Sequence, residues 1–230
     1  MEIEKFEYVF YLAEGDIRKY LVEIDKKKRT LINAKMMEPD SVQWTDLSFH
    51  QCSICPLKEP EYPKCPIAWN LHSIIETFGD QISFQEVDVE IITNQRIYKK
   101  STSLQIGLQS LFGLLMASSN CPKLHFLSPM TLFHLPFATF EETILRSASF
   151  YLLKQFFNKS DGKEYNFSME GLKQQYEEVE TVNQDFLGRI QAIEMDGDAS
   201  LNAINTLNAF AQMFSLQYEI NLESLHYIFR

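Results

Sequence analysis

Residues 86–117 read EVDVEIITNQRIYKKSTSLQIGLQSLFGLLMA, and the period of the apolar residues changes partway along them. Val87, Val89 and Ile91 alternate with Asp88 and Glu90, which gives a strand with one face in a core and the other in water. Thr93-Asn94 marks a turn, and Arg96 to Lys100 can supply the strand that pairs back. From Ser101 the character is helical. Leu104, Leu108, Leu111 and Leu115 recur at i, i+4, i+7 and i+11, a single apolar stripe whose start Thr102 or Ser103 can cap. Strands before this switch and helices after it define an α+β protein.

Working outward, the N-terminal part alternates as strands do. Phe6, Tyr8, Phe10 and Leu12 share one face, Gly15-Asp16 makes a turn, and Ile17 to Ile24 returns; a third strand through Thr30, Leu31 and Ile32 follows. Residues 37–66 form a loop rich in proline and cysteine, anchored by Trp44 and Phe49. Ile67, Leu71, Ile74 or Ile75 and Phe78 then mark a helix that Gly79 stops. Beyond Pro122, Pro129 and Pro136 come three longer helical stripes. The first runs from Phe140 to Leu152 with Glu141 and Glu142 in its opening turn, the second from Leu172 to Ile193, and the third from Leu201 to Phe214. A last piece spans Leu216 to Phe229. The expected fold is an N-terminal antiparallel sheet followed by a mainly antiparallel helical portion, joined by a Cys-rich loop. Two regions are drawn, a β-rich region over 1–101 with the Cys loop and one helix, and a helical region over 102–230, forming one integrated unit.

Composition narrows the function classes. With 45% apolar and 13% aromatic residues the chain can bury a sizeable core. Its net charge of -10 does not supply the positive field that a phosphate backbone requires, so nucleic acid is not an expected partner. Met1 to Lys5 lacks the pattern of a signal peptide, and no run approaches the ~18 apolar residues of a spanning helix. The expectation is a cytoplasmic protein with no membrane association, where thiols are kept reduced.

All four cysteines can be read as one ligand set. Cys52 and Cys55 form a Cys-x2-Cys knuckle, Cys65 follows in the same loop, and Cys121 sits where the Leu104–Leu115 helix stops. Two intervening residues bring two thiolates to adjacent corners of a tetrahedron, so structural zinc is the first expectation. His50, His125 and His134 are rival fourth ligands. Three of the cysteines precede proline, as the last ligand of a bacterial ferredoxin run does, and an iron-sulfur cluster is the alternative. The competing plain account is four reduced, partly buried thiols.

Two further constellations stand out. His134 lies in an apolar segment just before Glu141, Glu142 and Arg146, where it can serve as a ligand, as a base, or as a partner that activates Cys121. Arg146 stands i+4 from Glu142, the spacing of an intrahelical ion pair. Asn202, Asn205 and Asn208 recur every three residues, with Asn183 in the preceding helix. Asparagine is a poor helix former, a cost that a hydrogen-bonded layer or polar groove can offset.

Cys-x2-Cys-Pro, Lys64-Cys65-Pro66, Cys121-Pro122, Pro129-Met130 and Phe133-His134-Leu135-Pro136-Phe137 together resemble a family of bacterial proteins of unknown function. The likeness runs from Cys52 to about Tyr151, less than half of the chain. It implies a bacterial cytosolic protein and supports treating the cysteines as a set, and it brings no reaction, substrate or ligand assignment. The function expected first is a metal-stapled interaction or regulatory module without catalysis, taking a protein partner or a second copy of itself. An iron-sulfur or thiol-based redox sensor, and an enzyme using His134 with Glu141, Glu142 or Cys121, are the alternatives.

Overall fold

A computed structural model describes residues 2–32, 42–216 and 218–230. Four antiparallel strands form one sheet in the order β2-β1-β3-β4, with β1 at Ile3–Tyr11, β2 at Ile17–Asp25, β3 at Glu86–Thr93 and β4 at Ile97–Ser103. Register puts Tyr8 opposite both Tyr20 and Ile91, and Phe10 opposite Val89. Period-two alternation therefore collects Phe6, Tyr8, Phe10, Val22, Val89 and Ile91 on one buried face. The opposite face carries paired charges such as Lys5–Glu23 and Lys99–Glu90. β4 is an edge strand, and its lysines discourage pairing with another chain.

The segment expected as a third strand forms only an isolated bridge between Ile24 and Leu31. The Asp25 carboxylate accepts the amides of Lys27 and Lys28, turning the chain sharply, and the Leu31 amide then reaches the Ser118 carbonyl beyond the sheet. Residues 33–41, part of the stretch read as strand and loop, lie outside the described residues.

Helices follow at Pro66–Phe78 (α1), Leu104–Ala117 (α2), Ser128–Thr131 (α3), Phe140–Ser160 (α4), Glu170–Gln191 (α5), Ala199–Leu216 (α6) and Tyr218–Ser224 (α7). α1 opens with proline at its first position, where the missing N–H costs nothing, and stops before Gly79. The strand-to-helix switch falls at Ser103 rather than Ser101, and neither Thr102 nor Ser103 caps α2 with its side chain. The first amides of α2 are satisfied by backbone instead, Leu104 donating to Gln85 and Gln105 to Ser83. α4 has a full capping box, Thr139 and Glu142 each accepting the other's backbone N–H.

α2 lies on the sheet, α6 packs on α2, and α5 on α6. The approach of α2 is close: a Cβ on Gly107 would stand 2.9 Å from the Phe10 ring and 3.0 Å from Val89. Gly197, in the α5–α6 turn, meets the backbone of Gln81 so tightly that only a glycine fits. Asp198 beside it accepts the Ser83 amide and hydroxyl, tying that turn to the start of the sheet's second hairpin. The buried apolar residues make one cluster, from Phe6 through Phe112 and Phe186 to Leu225.

Candidate functional site

The four cysteines are delivered by three elements. A turn in which the Cys55 amide bonds the Cys52 carbonyl holds the first two, and α5 grips it: the Asp185 carboxylate accepts both the amide and the hydroxyl of Ser53, each at 2.7 Å. Cys65 is the N-cap residue of α1, its own amide bonded to Thr45. Cys121 follows the end of α2, with its amide on the Ser119 hydroxyl. The Asn70 side chain, on α1, donates to the Leu115 carbonyl of α2 and locks the two helices together near both thiols.

The thiols reach one another electrostatically. Burial pushes the Cys52 thiol up to about 12, and Cys65, Asp185, Cys121 and Cys55 add to that in turn. The Cys121 thiol is pushed up to about 11, again chiefly by burial, with Cys65 and Cys55 as further causes and the amides of Leu124 and Lys123 opposing. No histidine is among the groups that shift either thiol. His50 gives its carbonyl to Arg189, His125 is exposed on a single 3-10 turn, and His134 lies elsewhere. The cysteines form no disulfide. Among the described residues, no three His, Cys, Asp or Glu side chains are gathered so that they could hold a metal ion.

Arg189 organises the loop around this set. It is 1% exposed, and its guanidinium donates to the carbonyls of Trp44 and Asp46 at 2.7 Å, Leu47 at 3.2 Å and His50 at 3.4 Å, with the Phe49 ring over it. Its Nε is buried and has no hydrogen-bond partner. Cys65, Cys52 and Cys55 stand close enough to favour its positive charge, against the burial that disfavours it. Sequence reading passed over Arg189, although it lies i+3 from Phe186 and next to Ile190, inside the apolar stripe of α5. A permanent cation on a buried face was the available signal.

His134 belongs to a second locus. Its Nε2 bonds the Tyr8 hydroxyl at 2.6 Å, which also meets Ser110 at 3.1 Å, and its ring stands edge-on to Phe6. Burial, and then Arg146, push its pKa down from 6.5 to about 3, so it is neutral. The carboxylates once grouped with it are engaged elsewhere: Glu142 in the capping box and Glu141 with the Tyr227 hydroxyl. Cys121 sits with the other thiols. Arg146 does not pair with Glu142 either; it turns to the carbonyls of Met130 and Phe133.

The fold is α+β, with Cys52, Cys55 and Cys65 in the loop that leads into α1 and Cys121 just past α2. The chain belongs to the family described as Domain of unknown function (DUF6901), whose model matches residues 6–230. Searches among curated proteins and among solved structures found no match. No described helix is long and apolar enough to cross a membrane.

Proposed function

We propose that the four thiols hold an iron-sulfur cluster, and that the protein is a non-catalytic interaction or regulatory module whose shape that cluster maintains. The observation that carries the reading is the convergence itself: Cys52, Cys55 and Cys65 from one loop, and Cys121 from a segment far on in sequence, come within electrostatic reach of one another. The charge of Arg189 supports it. A buried guanidinium bonded only to carbonyls, with one N–H unused, calls for negative charge nearby, and a centre ligated by four thiolates supplies it.

Single zinc is the rival; proline after Cys55, Cys65 and Cys121, as after the last ligand of a bacterial ferredoxin run, favours the cluster. Zinc needs all four sulfurs at about 2.3 Å from one point. With every ligand taken by protein, either centre leaves no position for a substrate, which favours a role in holding shape. Loss of the centre would loosen the loop from Val42 to Cys65 and alter the surface offered to a protein partner.

The test is composition. Protein purified without oxygen should be brown and contain iron and acid-labile sulfide in equal amounts. One zinc per chain without iron would give the site to zinc instead. Neither metal, in protein from metal-replete cells and after reconstitution, would defeat the reading.

A further inference from the structure

A half-open chamber of about 360 Å³ lies between α2, α5, α6 and the segment from Leu124 to Arg146. That size lies in the range of small-molecule sites. The walls are mostly apolar, including Ile106, Leu114, Leu127, Leu207 and Phe210, and the polar groups are few.

Those groups fall at two ends. Ser110 and His134, joined by the Tyr8 hydroxyl, lie at one together with Arg146, whose charge reaches both His134 and Tyr176. Seven residues further along α2 and α5 lie Ala117 and Asn183, placing the second end about 10 Å away at 1.5 Å per residue.

Both ends have unused hydrogen-bonding capacity. Arg146 anchors only Nη2, on Met130 and Phe133; its Nε and Nη1 make no hydrogen bond, and it has no ion pair, among the described residues. Lys100 stands at the rim over the Phe137 ring, likewise without a carboxylate among the described residues. Asn183 is 2% exposed, lines the chamber, and its amide makes no hydrogen bond among the described residues. Its amide is thus open to a group that the chamber receives.

We propose that this chamber binds a small amphipathic carboxylate: an apolar body of roughly its length, with the anionic group on Arg146 and a hydrogen-bonding group at the far end on Asn183. The neutral His134 contributes an uncharged partner beside the carboxylate, and Arg146 supplies positive charge with its free Nε and Nη1 donors.

Calorimetry with decanoate, ω-hydroxydecanoate and decanol tests it on the full chain. Decanoate should bind saturably, ω-hydroxydecanoate more tightly, and decanol more weakly than either. Arg146→Gln should weaken decanoate about tenfold or more, the scale of a lost charge-assisted pair, and leave decanol unchanged. Asn183→Leu, nearly equal in size, should erase the preference for the hydroxylated chain while keeping decanoate. Should Arg146→Gln fail to fold, Arg146→Lys keeps the charge without the fork and should bind decanoate with intermediate affinity. Equal affinity for decanoate and decanol in the unaltered protein, or no saturable binding by any of the three, would overturn the proposal. So would a preference for ω-hydroxydecanoate that survives Asn183→Leu.

Discussion

Two arginines shape two irregular segments of this protein, and they do so to different ends. Arg189 is sealed in, and four carbonyls of the segment from Trp44 to His50 converge on it. Arg146 is only half-buried and holds two carbonyls, those of Met130 and Phe133, with the rest of its fork facing a chamber. In both places an irregular stretch gets its shape from a guanidinium rather than from a ladder of backbone bonds. The capacity left over distinguishes them: one N–H of a guanidinium near three thiols in the first case, a chamber-facing edge in the second. The first arrangement reads as construction and the second as reception.

The largest expected effect is at the sealed site. Arg189→Met should cost about 3–5 kcal/mol, because it strands buried carbonyls that nothing else can reach, and denaturant unfolding would measure it. Next comes acidification of the other site. Its pKa lowered from 6.5 to about 3 leaves His134 neutral in the fold, while the unfolded chain takes up that proton. Stability tied to His134 is therefore complete above about pH 6.5 and is lost as the pH falls from there towards 3. His134→Gln should flatten that part of a stability–pH profile; an unchanged slope would remove the histidine from the account. Arg146→Met should cost less than its counterpart, about 1–2 kcal/mol, with two carbonyl bonds lost at a half-exposed position. Equal losses at the two arginines would erase the distinction drawn between them. The smallest effect is at the helix start beside the chamber, where Thr139→Ala removes half of a capping box and should cost about 1 kcal/mol.

Regular elements were legible in the sequence because their periods are local. Phe6, Tyr8 and Phe10 announce a strand, and Leu104 to Leu115 a helix, without reference to anything distant. Boundaries that depend on distant backbone were not. Ser103 looks like a cap, yet the amides it would serve are taken by Gln85 and Ser83, a choice made only once the hairpin is in place. Thr30 to Ile32 alternates like a strand, and it pairs back on β2 only through the Asp25–Thr30 and Ile32–Glu23 backbone bonds while the Leu31 amide turns to Ser118. Arg146 next to Glu142 satisfies the spacing of an ion pair, and the capping box claims the glutamate first.

The sites divide in the same way. Four cysteines with proline after three of them were visible as a set, whereas the cation that accompanies them was hidden among apolar neighbours in α5. The asparagines showed in sequence as a concentration with an unexplained cost, and the fold separates them. Asn202 bonds Asp198, Asn205 is exposed, and Asn208 is buried with its Oδ1 unpartnered. Asn183 faces the chamber. No sequence period distinguishes these fates, because each depends on which neighbour the packing of α2, α5 and α6 supplies.

Cys121 bears most directly on the central claim, since it alone reaches the thiol set from beyond the loop. Cys121→Ser should lose the iron and sulfide of the anaerobically purified protein as completely as Cys52→Ser does, with the circular dichroism of the fold retained. A Cys121→Ser protein that keeps its full metal complement while Cys52→Ser loses it would contradict a centre shared by all four sulfurs.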